Sequence, residues 1–396
     1  MLTSEKRFIT THVGSLPRPP ALADLLVARD HGKKINATAF HHEVEKATDW
    51  VVAKQLESGI DVGNDGEEAR VGFQTYVTNR MSGFGGVSKR KLPTDMIRFP
   101  KYAEMFTQRI WSTDKARPRV WNAPQAATKV TYEKGLTDVK FELGIFKDSL
   151  KRSKKKFKET FVTAATPGIV STTMLRDEKN PVYKTDKDYV MDLARELKGE
   201  YEYIVAQGHI LQLDSPDLAM ERQFMFQDRP LKEFLKRVEL HIKAMNLALE
   251  NIPADRARLH ICFGNWDGPH IDDVDLEAIL PIVYEAKVGA LSIACANPRH
   301  AHDWRTLKNN PLPKHMKLIP GVIDVTTNYL EHPEAVADRI EQFVDVMGGD
   351  PKRVIPGTDC GFSTFANYVM VAEDVVWAKL KMLSDGAKIA TKRVWG

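Results

Sequence analysis

Short apolar runs rich in β-branched residues alternate with longer amphipathic segments along most of the chain. The short runs predict strands, and the longer segments, whose apolar residues recur at helical spacing, predict helices. Strands are expected at 8–13, 161–165, 210–214, 259–263, 291–294, 317–322 and 353–356. Helices are expected at 47–59, 188–207, 231–251, 276–287, 333–347 and 367–384. Because the connections are too long for hairpins, parallel β/α units are the simplest arrangement.

This alternation predicts an α/β protein built as a single (β/α)8 TIM barrel. No linker rich in Pro, Gly or Ser divides the chain, so residues 1–396 are expected to form one domain. The less regular region at about 72–158 predicts an insertion or a loop–helix excursion in the N-terminal half. An open, doubly wound sheet is the second fold that the pattern allows.

Composition excludes several classes of protein. Of 396 residues, 43% are hydrophobic and 28% are charged, with a net charge of +4, which excludes a disordered chain and a disulfide scaffold. No uncharged apolar run approaches the ~18–20 residues of a membrane span. The charged N-terminus is unlike a secretory signal, so a cytoplasmic protein is expected. We expect no membrane partner and leave the oligomeric state open.

One stretch, KDSLKRSKKKFK at 147–158, carries most of the excess positive charge. A basic run of this kind is compatible with a nuclear address or a nucleic-acid patch. Phe146, Leu150 and Phe157 fall close to helical spacing, however, which is typical of a solvated helix with one buried face. No signature of a nucleic-acid-binding fold accompanies the run, so no nucleic-acid partner is expected.

The three cysteines of the chain all follow predicted strands. In a parallel barrel, the loops at the carboxyl ends of the strands form the active site. Cys262, Cys295 and Cys360 lie in such loops, and His260 and Cys262 form an H-x-C pair whose side chains share one face of a strand. A buried, inert cysteine is the ordinary alternative for any one of them. Three at one face of a barrel instead indicate a shared metal site.

Imidazole and thiolate ligands together suit Zn²⁺. An ion already neutralised by thiolates is a weak Lewis acid for hydrolysis, but it still deprotonates a coordinated thiol. Such a site with an open position therefore predicts alkylation of a small-molecule thiol by an alkyl donor.

Several motifs resemble those of the cobalamin-independent methionine synthase superfamily, in the same order and across about residues 8–380. The chain is most similar to its single-barrel branch, which includes the epoxyalkane:coenzyme M transferases. The motifs are THVGSLPRP, GIDVGNDGE, LQLDSPDLAM, HICFGNW, SIACANPRH, PGVIDVTTNYLEHPE and GTDCGF.

The resemblance implies a catalytic zinc held by His260, Cys262 and Cys360. The family's glutamate ligand falls at Ala294, which has no donor atom, and Cys295 is its neighbour. Adjacent strand residues point to opposite faces, so Cys295 replaces the glutamate only where the strand has ended or bulges. Cys295 is therefore a candidate fourth ligand.

The resemblance also implies the residues that contact substrates. Gly14 and Ser15 match a cradle for the acidic group of the thiol substrate, and Glu67 and Asp214 match carboxylates that hold the amino group of homocysteine. Arg18 and Arg299 are candidate partners for a sulfonate, a carboxylate or a folate tail.

A further departure concerns proton transfer. Asp324 is kept as a candidate catalytic residue, but Thr326 stands where the family has a histidine. A threonine hydroxyl is no general acid near neutral pH. This weakens the case for a tetrahydrofolate-type co-substrate and leaves other alkyl donors, such as an epoxide, open.

The predicted function is thus a zinc-dependent methyl or alkyl transfer onto a substrate thiol. Two alternatives remain. One is a metal-free lyase of the uroporphyrinogen decarboxylase type, using Asp65, Asp214, Arg18 and Arg70. The other is a barrel that binds zinc or a ligand without turnover.

Overall fold

The computed structural model describes residues 1–111 and 116–396, and its centre is a curled parallel sheet. Seven strands of this sheet are hydrogen-bonded in the order β1-β4-β5-β6-β7-β8-β9. They are β1 (Val62–Gly63), β4 (Glu159–Ala165), β5 (Ile210–Asp214), β6 (Ala257–Ile261), β7 (Ala290–Ile293), β8 (Lys317–Ile323) and β9 (Gly357–Thr358). Every residue of β5, β6 and β7 is buried, as expected for parallel strands that are covered on both faces.

The α-helices precede, separate and follow the strands along the chain. They are α1 (Pro20–Asp30), α2 (Ala37–Glu57), α3 (Val77–Arg80), α4 (Thr94–Arg98), α5 (Pro100–Trp111), α6 (Thr137–Arg152), α7 (Pro167–Thr173), α8 (Asp186–Ala206), α9 (Leu231–Ala248), α10 (Leu276–Val283), α11 (Trp304–Asn309), α12 (Pro333–Val346) and α13 (Glu373–Trp395). The long helices bury one face each; α9, for example, buries Phe234, Val238, Ile242 and Met245. None of the helices in the described residues has both the length and the apolar composition that a membrane span requires.

The N-terminal segment lies between the two edge strands. Thr11 makes an isolated parallel bridge with Val62 of β1, and its backbone N–H donates to the Pro356 carbonyl at 3.1 Å, just before β9. The α/β class and the curled parallel sheet confirm that part of the predicted fold. The predicted strand at 8–13 forms no continuous ladder: the Thr10 carbonyl accepts from the Asp61 and Val62 N–H groups, and the Thr11 bond to Pro356 reaches the other edge.

The expected strand at 353–356 is displaced. In the structure β9 is Gly357–Thr358, and the expected residues contribute only an isolated bridge between Val354 and Leu318. Pro356 has no N–H to donate to a neighbouring strand, so the ladder with β8 resumes only after it.

Residues 72–158 contain structure that the pattern did not predict. Within them, β2 (Met81–Gly85) and β3 (Gln125–Tyr132) pair as a separate antiparallel sheet, and α4 and α5 lie between these strands in the chain. The later part of the same region forms α6, which packs against α2. Residues 112–115 of the expected insertion lie outside the described residues.

Candidate active site

Three of the predicted metal ligands meet at the carboxyl ends of the strands. His260 is on β6, Cys262 follows that strand directly, and Cys360 follows β9. The Sγ atoms of Cys262 and Cys360 are 3.8 Å apart, and one ligand atom from each of the three residues lies within 4.8 Å of the others. All three side chains are buried. The curled sheet thus brings together residues separated by about a hundred positions in the chain.

The chemistry of this cluster fits a metal ion. Both ring nitrogens of His260 are buried without a hydrogen-bond partner in the protein, which is costly unless a ligand occupies them. The Cys360 thiol hydrogen-bonds to Cys262 and, with His260 nearby, holds the pKa of Cys262 well below its ordinary value. Burial alone would lower the pKa of His260, but the neighbouring Cys262 and the negative charge of Asp214 raise it. One imidazole and two thiolates are three of the four tetrahedral ligands of zinc.

Cys295 does not join this cluster. Among the described residues, the group with ligand atoms within 4.8 Å consists of His260, Cys262 and Cys360 alone. Cys295 lies in the hydrophobic core, where burial raises the pKa of its thiol well above the ordinary value. The structure therefore favours the interpretation that Cys295 is a small buried apolar residue.

Asp359 has a structural role that sequence reasoning missed. Its carboxylate accepts hydrogen bonds from the backbone N–H groups of Cys295, Ala296 and Asn297 at 2.7–2.8 Å. These bonds tie the loop after β7 to the residue that precedes Cys360. The signal in the sequence was the place of Asp359 in the D-C-G motif. Its carboxylate positions the Cys360 thiol but does not line the cavity.

Two buried carboxylates lie beside the cluster. Asp214 and His260 are directly paired residues of the neighbouring strands β5 and β6. Burial raises the pKa of Asp214 to about 7, and the nearby Glu67 adds to this increase. Glu67 accepts a hydrogen bond from Thr163 Oγ1 at 2.8 Å through Oε1, while its Oε2 is buried without a partner. The structure thus brings both predicted carboxylates to the cavity.

Gly14 and Ser15 lie next to these groups. Gly14 has φ +144°, and a Cβ there would lie 2.6 Å from Thr163 Cγ2 and 2.9 Å from Glu67 Oε1, so a side chain is excluded. Ser15 lines the cavity, and its carbonyl accepts a hydrogen bond from the Phe362 N–H at 2.9 Å. This bond connects the first loop of the chain to the loop that carries Cys360.

The structure does not bring the remaining candidates into the cavity. Arg18 donates to the carbonyls of Ser363 and Glu67, at 2.6 and 2.9 Å, and so joins two loops. Arg299 is exposed and donates to the Ile271 carbonyl at 3.2 Å. The Asp324 carboxylate is occupied by four hydrogen bonds from the N–H and hydroxyl groups of Thr326 and Thr327, as in a side-chain-capped turn.

Asp65 and Arg70, which the lyase alternative needs, are also away from the cavity lining. Arg70 is fully buried and forms an ion pair with Glu142 at 2.5 Å. Its guanidinium is therefore occupied within the protein.

A cavity of about 1210 Å³, including space open to solvent, extends from the cluster. Its polar end contains Ser15, Glu67, Asp214 and the three ligands. Another part, here called the apolar wall, consists of six large side chains: Phe73, Met96, Phe106, Trp121, Phe224 and Trp266. Four of these six belong to the 72–158 region, where no sequence motif marked them. The only feature of the sequence that indicated these four residues was the concentration of large apolar side chains in an irregular segment.

Comparisons with known proteins agree with the geometry. No protein-family model matches the chain. The methionine synthase of Saccharolobus solfataricus is 23% identical over 389 residues, which are 97% of this chain and 95% of that protein. The methionine synthase of Sulfurisphaera tokodaii is 24% identical over 390 residues, 97% of this chain and 93% of that protein.

The fold has a solved counterpart. A B12-independent methionine synthase from Shewanella sp. W3-18-1, solved in complex with selenomethionine, superposes with a TM-score of 0.70 at 22% identity and covers 98% of both chains. Together, the relatives and this fold confirm the resemblance carried by the motifs: the chain is a homologue, along nearly its whole length, of the cobalamin-independent methionine synthase superfamily.

Proposed function

We propose that this protein is a zinc-dependent transferase that moves a methyl or larger alkyl group onto a substrate thiol. The observation that carries the proposal is the meeting of His260, Cys262 and Cys360 at the polar end of a cavity that also contains Glu67 and Asp214. The methionine synthases to which the chain is similar make the same class of reaction the first candidate.

His260 would hold the ion through one ring nitrogen, and Cys262 and Cys360 through their sulfur atoms. When bound, zinc supplies a positive charge that keeps a substrate thiol in its thiolate form at neutral pH. The cluster supplies three of the four ligands that zinc normally takes, so the substrate thiol would be the fourth. Cys295 is not part of this proposal, because its sulfur lies outside the cluster.

The carboxylates orient the acceptor. Glu67 Oε2 is buried and unpartnered, and Asp214 adds a second carboxylate, so an ammonium group on the acceptor would be paired here. The Ser15 hydroxyl is placed to contact another polar group of the same molecule. A thiol that carries an ammonium group, such as homocysteine, therefore suits this end better than a purely anionic thiol.

The transfer itself is a displacement at carbon. The substrate sulfur forms the new S–C bond with its own electron pair, while the bond from that carbon to the donor heteroatom breaks. The heteroatom leaves with the bonding electrons and takes a proton from water; in an epoxide, it stays attached as the alkoxide before protonation. Because Asp324 is occupied by its own turn and Thr326 cannot act as an acid, we assign proton transfer to solvent.

We also propose that residues 8–13 act as the eighth strand of a closed (β/α)8 barrel, within one domain spanning 1–396. The bonds from Thr10 and Thr11 to both edge strands support this closure. Closure is required for the function, because it is what brings Gly14 and Ser15 beside Cys360.

Metal analysis of purified variants tests the proposal. Wild-type protein is expected to contain about one zinc ion per chain, and His260→Ala and Cys360→Ala are expected to lose it. Cys295→Ala removes a buried cysteine outside the cluster and is the matched control, so it is expected to keep the ion. Addition of homocysteine to zinc-loaded protein should then change the sulfur coordination seen by X-ray absorption.

Other results would favour the alternatives. Wild-type protein without zinc, purified from zinc-supplemented cells, would exclude the transferase and favour the metal-free lyase. Zinc whose coordination is unchanged by homocysteine, coenzyme M and glutathione would favour a barrel that binds metal without turnover. Loss of zinc from Cys295→Ala would restore Cys295 as a ligand.

A further inference from the structure

We propose, resting on the proposed function, that the apolar wall binds an uncharged alkyl donor with an apolar, preferably aromatic, body, and that the cavity is not built for a tetrahydrofolate. The proposal depends on the side chains of the wall and on the charges that accompany them.

The apolar wall presents aromatic faces and edges. Trp121 stacks on Phe224 with ring centroids 6.0 Å apart and planes 23° apart, and Phe224 meets Trp266 edge to face at 5.6 Å. Trp266 itself stacks on His270 at 4.5 Å, which fixes its orientation. Aromatic rings packed in this way offer a flat ligand both stacking and edge contacts.

Two cations near the wall, Arg90 and Arg109, are paired with carboxylates within the protein, and Arg117 is a third cation of the cavity lining. Arg90 forms a buried ion pair with Glu221 at 2.5 Å, and its guanidinium lies 5.3 Å from the centre of the Phe224 ring. Arg109, which lies near the same wall, pairs with Asp267 through both guanidinium Nη atoms, at 2.6 and 2.7 Å. An anionic tail placed at Arg90 would therefore compete with a buried carboxylate already in place.

The carboxylates of the cavity lining are Glu67 and Asp214, which belong to the acceptor end. The polar edge of a pterin carries several N–H donors, and no further lining carboxylate among the described residues is present to accept them. What the lining offers instead is two neutral acceptors without partners, Gln74 Oε1 and Asn265 Oδ1. This pattern suits a neutral donor with at most a hydroxyl or a single N–H group.

Binding of two probes to the zinc-loaded protein tests this inference. Methoxybenzene represents a neutral aromatic alkyl donor, and 5-methyltetrahydrofolate represents the folate class. We expect methoxybenzene to quench the fluorescence of the wall tryptophans saturably and to bind at least tenfold more tightly than the folate. Equal or tighter binding of the folate by wild-type protein would overturn the inference without any variant.

A pair of variants locates the binding. Met96 is half-buried in the apolar wall on α4, whereas Met105, on α5, is 54% exposed and outside the lining. Met96→Lys places a cation in the wall and is expected to weaken methoxybenzene binding at least tenfold. Met105→Lys makes the same chemical change at the surface and should leave binding unchanged. Equal binding by Met96→Lys and wild type would contradict the inference.

The homocysteine response of the zinc site separates the two proposals. A normal response together with absent methoxybenzene binding would refute the donor inference and leave the proposed transferase standing. An absent response together with tight methoxybenzene binding that Met96→Lys abolishes would refute the proposed transferase and leave an apolar ligand site. Both substituted methionines are outside the metal and carboxylate groups, so neither variant is expected to change the response.

Discussion

One buried acid in the loop after β1, Asp65, has a pKa above its ordinary value. Asp65 is buried, accepts a hydrogen bond from the Glu67 N–H at 3.1 Å, and faces the carboxylate of Glu142. Burial raises the pKa of Asp65 to about 7, and the negative charge of Glu142 adds to the increase. A protonated Asp65 donates to Glu142 and still accepts from Glu67, which an asparagine amide also does.

Asp65→Asn is therefore expected to change the pH dependence of stability. The folded protein keeps the Asp65 proton up to about pH 7, whereas the unfolded chain releases it near 3.8, so wild-type stability falls as pH rises through this range. The asparagine variant lacks this fall. The difference in unfolding free energy between variant and wild type should grow by ~2–4 kcal/mol in favour of the variant from pH 4 to pH 8.

Urea denaturation at both pH values measures the difference. His31→Asn, a change at an exposed histidine outside this loop, is the control and should not reproduce the pH-dependent difference. A variant-minus-wild-type difference that stays constant between pH 4 and pH 8 would show that Asp65 is ionised throughout.

At the scale of elements, buried ion pairs attach the 72–158 region to the loop after β1 and to α8. Glu142 of α6 pairs with Arg70 and with Arg80, both at 2.5 Å, and Arg80 also pairs with Glu200 of α8 at 2.9 Å. Burial would raise the pKa of Glu142, but the two guanidinium groups lower it to about 2. The Tyr76 ring packs against both arginines: its centre lies 4.4 Å from the guanidinium carbon of Arg70 and 4.4 Å from that of Arg80.

Glu142→Gln should destabilise the protein strongly, because it leaves the buried guanidinium of Arg70 without its ion-pair partner and removes one of the two carboxylates that pair with Arg80. Breaking a buried pair in this way costs ~3–5 kcal/mol. Asp49→Asn is the matched control: Asp49 of α2 pairs with Arg152 of the same helix α6, but both side chains are more than 40% exposed. Its expected cost is below ~1 kcal/mol.

Chemical denaturation of both variants distinguishes the two pairs. Equal losses would mean that the buried pair is already replaced by water in the folded protein. A larger loss of stability in Asp49→Asn than in Glu142→Gln would mean that the exposed pair, and not Glu142, holds α6 in place.

At the scale of the whole molecule, one buried arginine joins the N-terminal segment to the sheet interior. Arg258 of β6 donates to Thr11 Oγ1 and to the His12 carbonyl, at 3.1 and 2.9 Å, and to Gln212 Oε1 at 2.8 Å. Its guanidinium carbon lies 3.7 Å from the centre of the Phe161 ring. Burial lowers its pKa to about 9, so it remains a cation at neutral pH.

Arg258→Met should loosen this closure, since it leaves the Thr11, His12 and Gln212 acceptors unsatisfied. We expect a loss of ~2–4 kcal/mol in unfolding free energy. Amide hydrogen exchange should become faster at residues 8–13. Arg256→Met, two residues earlier and just before β6, removes bonds to the Gly208 and His209 carbonyls and should leave exchange at 8–13 unchanged.

Exchange mass spectrometry of the two variants gives the comparison directly. Unchanged protection of residues 8–13 in Arg258→Met would show that the bonds from Thr10 and Thr11 to the edge strands suffice for closure.

The long elements and the ligand motif were predictable from the chain. Strand β5 occupies the expected residues 210–214, and α9 and α12 begin at the expected positions 231 and 333. These elements bury long apolar faces, which leave a clear periodicity. Strand β1 was not predicted, because it has only two residues and they pair with β4, nearly a hundred positions later in the chain. The single-domain organisation and the cytoplasmic location stay predictions.

By itself, the sequence determined the α/β class and the three residues that form the cluster, because apolar periodicity and an H-x-C pair are local properties. Only the tertiary structure decided that Cys295 lies in the core, that Arg18 and Asp324 support loops, and that residues 72–158 supply most of the apolar wall. Those outcomes depend on which distant groups meet after the sheet curls. A side chain's direction and its nearest partners are set by packing across the chain, which no local pattern records.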